Sequence, residues 1–348
     1  MSNDTIRVGK ADLQTFATAF LAAAGVGDSD AAEWAKVLIW ANLRGTDSHG
    51  VMRLPRYLDL INNKSINPKA SMRVVKRSGA IAVLDADRAP GPVAMMRAVE
   101  EAIGRAREVH VGWCAARNIT HAGAIGYYAL KVAEAGMAGI VMMASSPLMA
   151  YQGARVAGVS TNPLAIAVPG KTHRPYLLDM STSTVANGKI LNARDAGIAI
   201  PTGWGIDADG RDTTDPKKVK TLTPLGGAKG SSLSFMIECL ASIAVGNPLI
   251  AQALKSDGAV ENPVLNGVVI AVDLGALGDA DTFTREVDQL GGEIARLPRA
   301  DGVERIFLPG ERGDATLKQR EKQGIPIPKG TWTRLTAAAK ALGVTPPA

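Results

Sequence analysis

The chain has 348 residues, 46% hydrophobic and 21% charged, with a formal charge of +6. That length leaves room for two domains, or for one large domain with an appended layer, and the composition excludes a disordered, collagen-like or disulfide-stapled chain. The 39 basic residues are scattered among 33 acidic ones and aromatics make up only 4%, so no nucleic-acid partner is expected, whereas small carboxylates and nucleotide phosphates suit a mildly positive protein.

The N-terminal stretch MSNDTIRVGKADLQTF is too polar for a secretory leader, and no later run reads as the roughly 18 apolar residues of a membrane span. The expected location is the cytoplasm, with no membrane partner. Apolar residues at three- and four-residue steps predict a helix from Lys10 to Ala24, stopped by Gly25. A second helix is expected from the capping candidates Asp28, Ser29 or Asp30 to about Leu43, and Pro55 marks the first turn of a third. The first seventy residues therefore read as all helical.

After Pro68 the pattern turns to α/β. Strands are predicted at Arg73–Val75, Ile81–Leu84, Gly112–Ala116, Gly139–Ala144, Ala165–Val168 and Tyr176–Asp179, with helices over Val93–Val109 and Gly126–Ala135. The aperiodic segment from Ser145 to Pro163 is a loop long enough to carry ligand contacts. A polar, turn-rich stretch follows Pro201, then PLGGAKG, an apolar helix from Ser232 to Ala244, and a strand at Val268–Val272. Cys114 and Cys239 lie in apolar segments without metal-ligand or redox spacing, so they read as reduced thiols and no metal is expected.

The nearest approach to a dinucleotide fingerprint, Gly203-Trp-Gly205, follows a proline and leads into acidic turn residues, so a standard Rossmann site is excluded. Gly226-Gly-Ala-Lys229-Gly opens a helix, where free N–H groups, the dipole and a lysine could meet a phosphate. A glycine-rich turn is the alternative. Of four histidines, His49 stands in Asp47-Ser48-His49-Gly50 with Arg53 and Tyr57 close behind, a proton donor, a guanidinium and a phenol within nine residues. Such a set could deliver a proton to a ketone and clamp a carboxylate, though a surface histidine beside a capping Asp/Ser fits equally. His121, in Thr120-His-Ala-Gly-Ala, is read as opening a helix after a strand.

The ordered motifs RGTDSHGVMRLPRY from Arg44, HAGAIGYYA from His121, STNPLAIAVPG from Ser160, LLDMSTSTVANGKI from Leu177, PLGGAKG from Pro224 and LPGE from Leu308 resemble the malate/L-lactate dehydrogenase family of the second type, over nearly the whole chain. That non-Rossmann group includes ureidoglycolate dehydrogenase, sulfolactate dehydrogenase, diketogulonate reductase and piperideine-2-carboxylate reductase. The resemblance implies a mixed sheet flanked by helices over 73–254, a helical domain built from both chain ends over 1–72 and 255–348, and a homodimer. It implies hydride transfer between NAD or NADP and C2 of a small 2-oxo or 2-hydroxy acid such as malate, lactate or ureidoglycolate. Residue by residue, it assigns His49, Ser48 and His121 to catalysis and Arg53 and Tyr57 to substrate. It assigns Ser145, Asp179, Met180, Ser181, Lys229, Pro309, Gly310 and Glu311 to the cofactor. Reduction of a cyclic imino acid is the alternative chemistry, and a non-catalytic nucleotide-binding homologue the alternative of another class. Ala122, where the family has a bulkier aromatic, suggests a larger pocket beside His121.

Overall fold

The structure is a computed structural model that describes residues 5–256 and 263–347; the first residues of the N-terminal stretch read above as lacking a leader lie outside it. In chain order, strand β1 (Thr5–Val8) precedes helices α1 (Lys10–Ala23), α2 (Asp28–Leu43) and α3 (Leu54–Asn62). Then come β2 (Arg73–Ser78), β3 (Ile81–Asp85), α4 (Gly91–Val109), β4 (Val111–Ile119), α5 (Gly126–Glu134) and β5 (Ala138–Ala144). The middle of the chain adds β6 (Met149–Ala150), β7 (Ala157–Val159), β8 (Leu164–Val168), β9 (Tyr176–Met180), α6 (Asn187–Ala196), β10 (Gly205–Ile206) and β11 (Thr221–Leu222). The last part holds α7 (Ala228–Ala241), α8 (Ile250–Lys255), β12 (Leu265–Val272), α9 (Ala280–Ala295), α10 (Glu311–Gln323), β13 (Ile325–Pro328) and α11 (Lys329–Ala341).

The chain is thus α/β, a mixed seven-stranded sheet in the order β2-β3-β4-β12-β5-β8-β9 flanked by helices. Within this sheet, among the described residues, only β3 and β4 pair in parallel; β12 runs antiparallel to both β4 and β5, and β8 antiparallel to both β5 and β9. It follows that β4, β5 and β9 share one direction, and the residues after them, His121, Ser145 and Ser181, leave the sheet at one edge. Alternation along β4 divides the faces: Cys114 and Ala116 pack with α4 and α5, while Ala115 turns to the side covered by Ile237 and Ala241 of α7. β12 is bonded on both sides in the middle of this sheet, so a stretch assigned from sequence to the terminal helical part supplies a central strand.

A second core joins the two chain ends: Leu13, Phe20, Trp34, Leu38, Leu54 and Tyr57 pack with Leu317, Ile325, Ile327 and Leu335. The first seventy residues are not all helical, because β1 pairs antiparallel with β13, more than 300 residues away. A four-residue strand and a partner written Ile-Pro-Ile-Pro carry almost no local signal. Helix α2 starts behind Gly27 rather than a side-chain cap, with Asp28 and Asp30 in its first turn complementing the dipole. The loop 145–163 contains β6 and β7, which with β10 and β11 form a small separate sheet.

Helix α7 starts four residues before the expected Ser232, directly after Gly226 and Gly227, both at positive φ. Contrary to the reading that no segment reaches bilayer length, Ala228–Val245 is long and apolar enough to do so by composition. Its inner face is nevertheless committed to the protein. Glu238 is buried and accepts from the N–H groups of Leu249 (2.7 Å) and Ile250 (3.0 Å), and Ser234 Oγ donates to Ser160 O (2.7 Å).

Candidate active site

His49 lies in a short turn between α2 and α3, and the turn is held from two sides. Asn42, a buried polar residue on α2, donates to Asp47 Oδ1 (2.7 Å) and accepts from Val51 N–H (2.8 Å). Arg320 of α10 closes a fork on Asp47 at 2.6 and 3.0 Å. The Ser48 hydroxyl is 2.9 Å from His49 Nδ1, and Arg53 Nε donates to Ser48 O (2.7 Å). No other hydrogen bond or ion pair occupies the Arg53 guanidinium among the described residues. The start of α6 closes over this turn. A Cβ at Gly188 would stand 2.6 Å from Ser48 Cβ, so the last part of the LLDMSTSTVANGKI motif rests on the serine beside His49.

His121 does not open a helix; it sits in the loop between β4 and α5, five residues before α5 begins. Its ring stacks on His49, centroids 5.4 Å apart at 27°. Its Nδ1 lies 2.8 Å from Tyr57 Oη and accepts from Gly123 N–H at 3.3 Å. A backbone N–H can only donate, so Nδ1 carries the lone pair, Tyr57 donates to it as well, and the neutral ring presents Nε2–H on its other side. Tyr57, expected against a substrate, is 1% exposed and stands behind His121, tilted on Trp34 at 4.8 Å. Ala122 is buried in the core, so it opens no space beside His121.

Burial, reinforced by the Arg53 charge, holds the His49 imidazole down to about 4. His121 lies well below the usual histidine range, through burial first and then the charges of His49 and Arg53. Burial raises the Tyr57 phenol above its ordinary value, with Arg53 opposing. Both rings therefore rest neutral near pH 7, whereas an isolated histidine would be partly charged.

A cleft of about 480 Å³ runs between α2, β9 and the segment before α10, lined by Trp40, Arg44, Asp179, Phe307, Pro309 and Gly310. Arg44, which sequence reasoning left out, is its organiser: its guanidinium is ion-paired with Asp314, donates to Gly310 O (2.9 Å) and lies 5.2 Å over the Trp40 ring. Asp179 lines the cleft, open to it, and accepts from Gly126 N–H (3.0 Å). Desolvation by the protein packed around it lifts the carboxyl to about 6, against the pull of the N–H and of Arg44. Glu311 does not line the cleft; it accepts from Leu308 N–H (2.9 Å) and from Arg305 (2.5 Å), closing its own turn.

The remaining expected cofactor residues gather where β5 and β9 end. Ser145 N–H donates to Asn162 Oδ1 (3.1 Å) and its hydroxyl is 2.5 Å from Ser160 Oγ. Met180 ends β9, and the next residues are stitched to the glycine loop by Leu225 N–H donating to Thr182 O (2.9 Å) and by the Ser183–Pro224 bridge. Ser181 Oγ is 2.9 Å from Ser183 Oγ, and Lys229 stands exposed in the first turn of α7 with no ion pair among the described residues. A cleft of this size, with flat apolar walls, a guanidinium and a carboxylate, fits a nucleoside, and a lysine at a helix N-terminus fits a phosphate.

Residues 8–336 match the family model for malate/L-lactate dehydrogenase, and the chain belongs to that family. It is an oxidoreductase of the 2-hydroxy-acid dehydrogenase class, which works with a nicotinamide cofactor. Among its relatives, malate dehydrogenase of Pyrococcus horikoshii is 37% identical over 97% of this chain and 96% of its own length. The solved structure of that protein superimposes with a TM-score of 0.90 over 99% of this chain and 98% of the other. Ureidoglycolate dehydrogenase (NAD(+)) of Escherichia coli K12 is 32% identical over 88% of each. The structure of delta1-piperideine-2-carboxylate reductase from Pseudomonas syringae aligns with a TM-score of 0.84 at 28% identity, over 96% of this chain and 100% of that one.

Proposed function

We propose that the protein interconverts a small 2-oxo acid and its 2-hydroxy acid at the paired histidines, using NAD or NADP bound along the sheet edge. The observation that carries the reading is the stacked His49–His121 pair beside the otherwise free Arg53 guanidinium. When bound, the nicotinamide exchanges a hydride with C2 of the acid.

Arg53 takes the carboxylate, and its planar fork orients C2 toward the histidines. His121, with Nδ1 blocked by Gly123 and Tyr57, donates Nε2–H to the substrate oxygen and acts as a fixed electrostatic partner. His49 is the acid/base: Nδ1–H donates to the Ser48 hydroxyl, leaving Nε2 free for the proton at that oxygen. With a value near 4, free His49 is unprotonated near pH 7, so it can accept the hydroxy acid's proton but holds none to give the oxo acid. A bound carboxylate neutralises Arg53, removes part of that depression, and lets His49 hold a proton when the oxo acid is present. Tyr57 sets the His121 tautomer, and Asp179, Ser145, Met180, Ser181, Lys229, Pro309 and Gly310 line the cofactor's path.

The second chemistry is reduction of a cyclic imino acid, whose C=N carbon also accepts hydride beside a carboxylate; the similarity to the piperideine-2-carboxylate reductase structure favours keeping it. The test is nicotinamide absorbance near neutral pH with NADH and NADPH against malate- and lactate-type oxo acids and a cyclic imine. Turnover of an oxo acid supports the first reading, turnover of the imine alone replaces it with the second, and cofactor binding without turnover of any supports a non-catalytic homologue. A homodimer and a cytoplasmic location belong to the same reading.

A further inference from the structure

We propose that Arg312 recognises the 2′-phosphate of the dinucleotide at the mouth of the Trp40–Phe307 cleft, so that the protein selects NADP(H) over NAD(H); this rests on the reading of that cleft as part of the cofactor site. Four guanidinium groups surround the cleft and the turn below it. Three are compensated. Arg44 is paired with Asp314 and bonded to Gly310 O, Arg174 lies 3.8 Å from Asp314, and Arg305 lies 2.5 Å from Glu311.

Arg312 lines the cleft, is exposed, and engages neither a carboxylate nor a hydrogen-bond acceptor among the described residues. Its Cζ stands 4.9 Å from the centroid of Phe307, which lines the same cleft, so the free cation is aimed by a ring and not left to wander. The acids beside it in the α10 turn are already engaged, Glu311 by Arg305 and the Leu308 N–H and Asp314 by Arg44, and Asp179, the carboxyl of the same cleft, accepts from Gly126 N–H and makes no ion pair with Arg312. Arg312 also occupies the first turn of α10, whose N-cap, Gly310, provides no side-chain acceptor, and the helix dipole adds to its field. An oriented, uncompensated guanidinium at the rim of a nucleoside-sized cleft calls for a dianionic group there, and the group that distinguishes the two dinucleotides is a phosphomonoester on the adenosine ribose.

The experiment is calorimetric titration of the full-length protein with 2′,5′-ADP and with 5′-ADP, repeated with Arg312→Gln. The proposal expects 2′,5′-ADP to bind at least about tenfold tighter, as a charge-assisted contact allows, and the substitution to abolish that preference while leaving 5′-ADP unchanged. Arg312 is exposed, so the variant is expected to keep the parent's melting temperature. Equal binding of the two nucleotides, or a preference that survives in Arg312→Gln, overturns the proposal but leaves the cleft as the cofactor site. Failure of both nucleotides to bind, or binding that NADPH and NADH do not compete away, overturns the cleft reading and the proposal together.

Discussion

At the scale of single residues, the neutrality of His49 is the property that most affects behaviour. His49→Ala is expected to lower kcat on the order of 100-fold or more in steady-state assays while circular dichroism stays unchanged; a variant near parental turnover removes His49 from the acid/base role. Tyr57→Phe keeps the ring packed on Trp34 but withdraws the O–H from His121 Nδ1. A fall in kcat of roughly tenfold, consistent with about 1 kcal/mol or more for such a bond, with KM little changed, is the expected result.

The sign of the pH effect on stability follows from the same neutrality. His49 has a folded value near 4 against 6.5 unfolded, so between those limits the unfolded chain binds the extra proton, and the stability contribution present above pH 6.5 is lost as pH falls toward 4. His121 acts in the same direction. Asp179, raised to about 6, opposes them between about pH 6 and its unfolded 3.8, because there the folded state holds the proton. Two groups against one leaves a net loss. Melting temperature measured from pH 7 down to 4 should fall more steeply for the parent than for His49→Asn, and parallel curves would contradict the assignment.

At the scale of elements, the His49 turn is governed from outside itself. Arg320 belongs to α10 and reaches Asp47 across nearly the whole chain, so Arg320→Gln should loosen the His49 turn. Loss of charge-assisted bonds of this kind costs about 1–3 kcal/mol. The expected outcome is a lower melting temperature together with faster amide exchange over residues 47–53, measured by hydrogen exchange; protection unchanged there would mean that Asn42 alone holds the turn.

This is also the scale at which the sequence was least explicit. The helices α1 to α5 and most strands of the large sheet follow from periodicity, because each carries its apolar residues at the spacing of its own element. The pairing of β1 with β13 and the insertion of β12 between β4 and β5 do not follow, since strand partners are chosen by hydrogen bonds between distant segments. Arg44 escaped attention for a related reason. Its partners, Asp314 and Gly310, lie some 270 residues on, and nothing local marks it apart from any arginine ending a helix.

At the scale of the whole molecule, the face of α7 turned away from the sheet is left open. Phe235, Met236 and Ile243 are each 52% exposed on one side of the helix and its short extension, and Val75 and Ile81 open the neighbouring sheet face. Apolar area of this kind on one side of a chain marks an interface more often than open solvent. We expect a homodimer that covers it. Light scattering should give twice the chain mass for the parent and a single mass for Phe235→Glu combined with Ile243→Glu; a dimer that persists places the contact elsewhere.

The sequence by itself determined the class of fold, the exclusion of a Rossmann site and the family, because these rest on local periodicity and on ordered motifs whose spacing survives without coordinates. It also singled out His49, Arg53 and His121, whose chemistry is legible in residue type. Only the tertiary structure decided that Tyr57 backs His121, that Ala122 is buried, that Glu311 closes its own turn, and that Arg312 meets no counter-charge among the described residues. Each of those depends on which distant side chain a polar group meets, and that is settled by packing in three dimensions and not by neighbours along the chain.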